Sequence, residues 1–303
     1  MQVMSPTSRA SVRASVTRLL SAWSLFLAIA DVPAHAAGDF ANPEPVAIVG
    51  YRGHAMEPFI SRDGRYLLFN NLNQPSENTD LHWAERITPL SFRYGGKIDG
   101  VNTGALEGVP TLDRNGLLYF VSTRSYEKTL STIYRAKFEA GRATAVELVE
   151  GVSLKKPGIV NFDVEISPDG QFLYGVDGDL TGGPVPKTAD LFVARSVGPR
   201  FERLPNTAAI MANINTSALE YAAAISPDGL ELFFTRMAGH LLSRRLTIEH
   251  AARKSTDEPF GPARTIRAIT GLVEAPTVTG DGKALYYHAK IDDTHRIYRV
   301  SRP

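Results

Sequence analysis

Two stretches decide the fold: residues 163–174 (DVEISPDGQFLY) and 222–234 (AAAISPDGLELFF). Each leads a small, polar segment into a Ser-Pro-Asp-Gly turn and out through an apolar, aromatic run. Asp-Gly between two β-prone runs is a strong hairpin signal, because glycine takes φ > 0 without steric cost and the proline before it pre-sets φ. Three more segments follow the same grammar: 57–69 (EPFISRDGRYLLF), 109–120 (VPTLDRNGLLYF) and 275–287 (APTVTGDGKALYY). The turn glycines are Gly64, Gly116, Gly170, Gly229 and Gly282, spaced by 52, 54, 59 and 53 residues. A period of this length with strand-like content marks the blades of a propeller.

A third strand is expected after each hairpin, at 80–84, 132–136, 190–194, 240–243 and 296–300. A fourth opens with an aromatic residue at Phe92, Phe138, Phe201 and Phe260. The last blade reaches Pro303 without one. At the other end of the chain, 40–49 (FANPEPVAIV) matches 260–269 (FGPARTIRAI) in its aromatic start, its proline and its apolar finish. The N-terminal strand is therefore expected to complete the last blade, which leaves no unpaired sheet edge between first and last blades. The expected fold is all-β: a five-bladed β-propeller of four-stranded antiparallel blades, closed by its N-terminal strand.

Ahead of that strand, Arg9, Arg13 and Arg18 precede a 12-residue apolar run at 19–30 (LLSAWSLFLAIA), and Ala34-His35-Ala36 is a small-x-small cleavage pattern. This is the pattern of a secretory signal peptide over 1–36, cut after Ala36. The run is shorter than the roughly 20 apolar residues that span a bilayer. Residues 37–303 are then expected to form one propeller domain, periplasmic or secreted and not membrane-spanning. The 303 residues carry 33 Lys+Arg against 32 Asp+Glu, so bulk charge offers nothing to nucleic acid. With no cysteine, disulfides, thiolate zinc sites and a cysteine nucleophile are excluded.

The ISPDG cores at 166–170 and 225–229, the Leu-Tyr and Leu-Phe strands after them, and the DLFVA strand at 190–194 resemble the TolB-like, WD-type propeller repeats of bacterial envelope and secreted proteins. The resemblance covers nearly all of 37–303. It departs in three blades, which have Arg-Asp-Gly, Arg-Asn-Gly and Gly-Asp-Gly instead. It implies a non-catalytic, exported scaffold that binds a protein or peptide partner in the cell envelope.

Five acids stand seven to nine positions before the turn glycines: Glu57, Glu107, Asp163, Glu220 and Glu274. Glu107 and Glu220 close the near-identical stretches 102–107 (NTGALE) and 215–220 (NTSALE). All five are expected near the mouth of the central channel as a ring of carboxylates. Recurrence across blades favours a structural role for the ring. Hard oxygen ligands would suit Ca²⁺, and paired acids would suit glycoside hydrolysis. Asymmetric residues single out parts of the ring: Tyr51, Arg52 and His54 in blade 1, Asn161 and Glu165 in blade 3, Tyr221 in blade 4 and His288 in blade 5.

The candidate channel-mouth ligand set is therefore His54, Glu57, Glu107, Asp163, Glu165, Glu220, Tyr221 and Glu274. No residue is assigned a catalytic role. No metal-ligand spacing occurs, so zinc is not expected, and Ca²⁺ is the one cofactor considered. The alternative to the scaffold is a carbohydrate-active enzyme or glycan-binding protein, similar to five-bladed arabinanase-type glycoside hydrolases in placing acids at inner positions. It predicts two carboxylates about 5 to 9 Å apart, flanked by Tyr51 or Tyr221. No Gly-x-Ser-x-Gly elbow occurs, and Gly182-Gly183-Pro184 lacks a Gly-Lys-Ser/Thr ending. The polar segment 247–259 (TIEHAARKSTDEP) is expected to be a longer outer loop or one helical turn.

Overall fold

The computed structural model describes residues 40–73, 79–239 and 244–303. The expected leader at 1–36 and the expected third strand at 240–243 lie outside the described residues. Five inner strands begin the five blades: Met56–Ile60, Glu107–Leu112, Val164–Ile166, Leu219–Ile225 and Val273–Val278. Each pairs antiparallel with a second strand: Tyr66–Asn70, Leu117–Ser122, Phe172–Asp179, Glu231–Ala238 and Ala284–Ile291. The third strands are Leu81–Thr88, Ile133–Glu139, Ala189–Val197, Arg245–Ala252 and Thr294–Ser301. The outer strands of blades 1 to 4 are Ser91–Lys97, Arg142–Leu148, Arg200–Arg203 and Arg264–Thr265.

The fifth outer strand is Ala41–Pro45, which pairs antiparallel with Thr294–Ser301 and completes the last blade from the N-terminal side. The next residues, Ala47–Val49, then add in parallel to the outer strand of blade 1. One short segment thus ties the last blade to the first. Apolar side chains fill each gap between neighbouring blades. Between blades 5 and 1, Tyr286 and Ile297 pack against Ile60, Leu67, Phe69 and Phe92. Between blades 3 and 4, Val176 and Leu191 pack against Ile225, Leu232 and Phe234. Among the described residues no helix is long and apolar enough to cross a membrane.

Hydroxyl and carboxylate side chains set the turns. In blade 3 the Ser167 hydroxyl donates to Asp169 Oδ1 at 2.6 Å and accepts the Phe172 amide at 2.8 Å, while Asp169 accepts the Gln171 amide at 3.0 Å. The five turn glycines sit at φ between 70° and 80°, where a side chain would be strained. Blade 2 departs from the motif by substituting Asp113 for the serine, and Asp113 Oδ1 accepts the Asn115 and Leu117 amides directly.

Two expectations about strands are corrected. Phe138 does not open an outer strand. It lies near the end of the third strand, where period-2 alternation buries it beside Ala136, and the chain reverses at Ala140 and Gly141. Residues 247–252 are not loop but the core of blade 4's third strand. The polar residues that disguise it have partners on adjacent strands: Glu249 accepts from the Thr265 hydroxyl at 2.8 Å, and His250 Nε2 meets Glu231 at 2.8 Å.

Candidate active site

Four of the five inner strands carry a β-bulge near their start. Register shifts fall at Met56/Phe59, Gly108/Thr111, Tyr221/Ala224 and Glu274/Thr277. The bulged residues Glu57, Val109, Ala222 and Ala275 all have positive φ, between 46° and 56°. A bulge bends the strand and re-aims the side chains around it. Its freed amide needs an acceptor. For the bulges of blades 1, 2 and 5 the second strand of the preceding blade supplies one, six residues after its turn glycine. Asn70 Oδ1 takes the Val109 amide at 3.0 Å, Thr235 Oγ1 the Ala275 amide at 2.9 Å, and His288 Nδ1 the Glu57 amide at 3.2 Å. In blade 3 that position is Val176, which cannot accept, and the Asp163 carboxylate takes the Ala222 amide instead.

The expected ring of five carboxylates splits at this point. Glu107 and Glu220, nine residues before their glycines, are fully buried and paired within their own blades. Glu107 accepts from the Thr103 amide (2.8 Å), the Thr103 hydroxyl (2.7 Å) and the Ser122 hydroxyl (2.7 Å), with Arg124 at 3.2 Å. Glu220 repeats this with the Thr216 amide (2.9 Å) and hydroxyl (2.6 Å) and with Arg236 at 2.7 Å. The asparagines of the same NT-x-ALE stretches clamp the neighbouring third strand: Asn102 bonds the amide and carbonyl of Leu81, Asn215 those of Leu191. Both acids are structural. Glu165 also leaves the candidate set, because it lies within the channel rather than at its mouth. It pairs with Arg62 at 2.7 Å and accepts the Thr111 hydroxyl at 2.5 Å. The channel beside it narrows to a void of about 20 Å³, lined in part by Glu57, Val109, Glu165 and Ala222. That is room for about one water molecule.

Glu57, Asp163 and Glu274, seven or eight residues before their glycines, come together with Tyr221 and His288. Tyr221 donates its hydroxyl to Glu274 Oε1, and His288 Nε2 stands 3.4 Å from Glu274 Oε2. Asn73 Nδ2 donates to Glu57 Oε1 at 2.7 Å and is itself held by Asn70 Nδ2 at 2.8 Å. Glu57 and Asp163 are buried, whereas the Glu274 side chain is 26% exposed.

Their proton affinities diverge. Burial pushes the Glu57 carboxyl up, and Glu274 adds to this, against His288 and Asn73. Burial pushes Asp163 far higher, reinforced by the charges of Glu57 and Glu274. Burial also opposes ionisation of Glu274, but His288 and the Tyr221 hydroxyl outweigh it and hold Glu274 below the usual range. His288 is raised despite its burial, by Glu274 and Glu57. The Glu57 amide limits that rise, because Nδ1 cannot be protonated and still accept it. Protonated and ionised carboxylic groups side by side are the arrangement that acid–base chemistry needs.

His54 does not reach the carboxylates. Its Nδ1 accepts the His295 amide at 3.3 Å, and the His295 ring packs edge-on against His288. Burial, with His288 and His54 beside it, lowers His295 to about 4. Tyr51 faces Phe69, His82 and Tyr94 within blade 1, so Tyr221 is the flanking tyrosine. Asn161 bonds Val176 O and Asp177 and does structural work like Glu107. Sequence inspection missed Asn73 and the aromatic partner of Tyr221, Phe162 at 5.9 Å. Phe162 was legible as the residue eight before Gly170, the register shared by Tyr221 and Glu274. Among the described residues no group of three or more His, Asp or Glu is placed to hold a metal ion.

No protein-family model and no curated protein sequence matches the chain. Solved structures do share its fold. A protein described as a glycoside hydrolase matches with a TM-score of 0.58 at 14% identity, over 88% of this chain and 93% of that one. A family 117 glycoside hydrolase from the marine bacterium Zobellia galactanivorans matches at 0.55 and 12% identity, over 88% and 91%. The catalytic domain of a GH62 α-L-arabinofuranosidase from Coprinopsis cinerea matches at 0.55 and 13% identity, over 88% and 97%. At these identities the likeness is one of fold, and it supports the five-bladed reading.

The likeness also corrects two expectations. The chain is not placed with the TolB-like, WD-type repeat proteins, because the structures it resembles are glycoside-hydrolase propellers. The Ser-Pro-Asp-Gly core is turn chemistry that blade 2 meets with Asp113, so it does not mark that family. The expected non-catalytic scaffold for an envelope protein falls with the resemblance that implied it.

Proposed function

We propose that the protein is a glycoside hydrolase whose active site is the mouth of the propeller channel. One observation carries this reading: among the described residues Glu57, Asp163 and Glu274 meet there without an arginine or lysine partner, two held toward the protonated form and one ionised. Hydrolysis of a glycosidic bond needs one carboxylic acid to protonate the leaving oxygen and one carboxylate to act as base or nucleophile at the anomeric carbon.

Glu57 is the proton donor. Asn73 occupies its Oε1, leaving Oε2 to carry the proton. Glu274 is the ionised partner, oriented through one oxygen by Tyr221 and through the other by His288. Asp163, anchored on the Ala222 amide, keeps a second protonated group beside the reacting pair. Phe162 and Tyr221 offer aromatic surface for a sugar ring. The solved structures sharing the fold support this reading through what their descriptions say of them.

The test is reducing-end release from a panel of neutral and acidic polysaccharides by the purified protein. Hydrolysis of one glycan class, abolished in Glu274→Gln with folding intact, is expected. Proton NMR of the first anomer formed then says whether Glu274 acts as base or nucleophile. Binding without release from any glycan would overturn the catalytic part.

A further inference from the structure

Outside the carboxylate site, the most sharply charged feature is a groove of about 940 Å³ between blade 4 and the segment leading into blade 5. Arg244, Arg245, Arg264 and Arg267 line it, and among the described residues no carboxylate does. All four arginines are exposed, and none forms an ion pair among the described residues. Glu249, which pairs with Thr265 across the strands, is already engaged by the hydroxyls of Thr247 (2.7 Å) and Thr265 (2.8 Å) and by Arg236 at 3.6 Å. Four unpaired guanidinium groups converging on one concave surface repel one another, and an anion relieves that repulsion. Arginine's planar fork matches the paired oxygens of a carboxylate or a sulfate ester.

Topology places the groove on the same face as the proposed active site. Arg245 pairs with Ala238 at the end of the second strand, and its neighbour Met237 pairs with Leu219 at the start of the inner strand. Inner strands start at the channel mouth, so Arg245 is on that side. The groove's last wall residue, Leu272, is followed two positions later by Glu274. Two extended residues cover about 7 Å. The chain that walls the groove thus leads directly into the strand that carries Glu274. The mouth itself holds the ionised Glu274, which repels an anionic substituent, so the charges of a glycan lying on the arginines would be held to one side of the reacting bond.

We infer that the groove is the subsite for the acid groups of a polyanionic glycan, one bearing uronic carboxylates or sulfate esters. This deepens the hydrolase reading and rests on it only for what happens at Glu274. The test is calorimetric binding to the full chain of four probes: an oligogalacturonate, its methyl ester, a sulfated galactan oligosaccharide and its desulfated form. A single-stranded DNA oligonucleotide is the control polyanion.

The expected result is binding of at least one acidic probe and not of its neutral counterpart. Raising NaCl from about 0.05 M to about 0.5 M should weaken it. Arg264→Ala with Arg267→Ala should weaken it about tenfold for each arginine removed. The uronate and sulfate arms identify the source of the anion. If the double variant fails to fold, the salt titration on the unaltered chain reads the same contrast between acidic and neutral probes.

Equal binding of acidic and neutral forms would overturn the inference. So would unchanged affinity in a folded double variant, or DNA binding as tight as that of the acidic oligosaccharide. Hydrolysis of a neutral glycan without binding of acidic probes sinks the subsite and keeps the hydrolase. Arginine-dependent binding of an acidic glycan with no turnover of any glycan does the reverse.

Discussion

Glu220 and Glu274 stand at the same end of neighbouring blades, near the starts of their inner strands, and differ in almost everything else. Glu220 has an arginine, an amide and a hydroxyl around it and no exposure. Glu274 has a tyrosine hydroxyl, a histidine and two more carboxylic groups nearby, and it reaches the surface. One residue of register separates the two positions. In a strand a one-residue shift exchanges faces, and here it moves an acid from the blade junction to the channel mouth. The fold satisfies its acids completely where it needs rigidity and leaves them facing one another where chemistry is proposed. Such unrelieved electrostatic cost is what functional sites retain.

The largest effects should come from breaking the mouth. Glu57→Gln removes the proton donor and should cost about 10²- to 10⁴-fold in kcat on natural glycans. Aryl glycosides with a good leaving group need no such proton, so on them the loss should be far smaller. Glu274→Gln should cost a similar factor on both substrates. Equal losses for the two variants on aryl glycosides would reverse or cancel the assigned roles.

At the blade junction the same kind of change should strike stability instead. Glu107→Ala strips a buried carboxylate from Arg124, the Thr103 amide and two hydroxyls. Breaking one side of such a buried pair costs about 3 to 5 kcal/mol, read as a lower denaturant midpoint. Glu274→Gln, by contrast, gives up only the support of His288 and the Tyr221 hydroxyl for a partly exposed carboxylate, so its midpoint should fall far less. A mild Glu107→Ala would mean that the junction acids are not what holds the blades.

The blades were legible because each repeats one physical solution: hydroxyl or carboxylate, turn, glycine, then an apolar strand. Even the N-terminal closure could be read from Phe40 and the proline after it. Strands fringed with charge were not legible. Glu249 and His250 look like loop residues until Thr265 and Glu231 are seen across the sheet. At the mouth, pooling acids seven to nine positions before the glycine ignored the β-bulge at position seven, which breaks the simple alternation of faces. Counting by single positions separates Glu107 and Glu220 from Glu57, Asp163 and Glu274. His288 was visible as an unusual residue but not as the acceptor for a bulge, because that role belongs to a register shared with Asn70 and Thr235. Asn73 carried no signal. It matters only because the chain after Asn70 curls back so that Asn73 meets Glu57.

A smaller contrast, in pH dependence, should have opposite signs for the two kinds of acid. Asp163 is held well above its ordinary 3.8 in the folded chain. As pH rises past about 4, the unfolded chain releases this proton and the folded chain keeps it, so stability falls. Asp163→Asn removes that penalty, and its melting temperature should gain on the unaltered protein from pH 4 upward. Glu231 is the opposite case. Burial would raise it, but Arg302 at 2.5 Å and His250 at 2.8 Å bring it down from 4.5 to about 2. Its contribution is complete above 4.5 and is lost as pH falls toward 2. The unaltered protein should therefore lead Glu231→Gln at neutral pH and lose that lead on acidification.

The smallest change concerns one hydroxyl. Tyr221→Phe keeps the ring beside Phe162 and deletes the donor to Glu274 Oε1. That donor is one of the influences holding Glu274 low, so its loss should raise the carboxyl. The acid limb of the kcat/KM profile should then move to higher pH, because Glu274 must be ionised to act. At the optimum, kcat should fall by no more than about tenfold, the worth of one hydrogen bond to a charged group. Paired with His288→Gln, the variant separates the two supports of the ionised carboxylate. Each should shift the acid limb, and a limb that ignores both would mean that the essential ionised group is not Glu274.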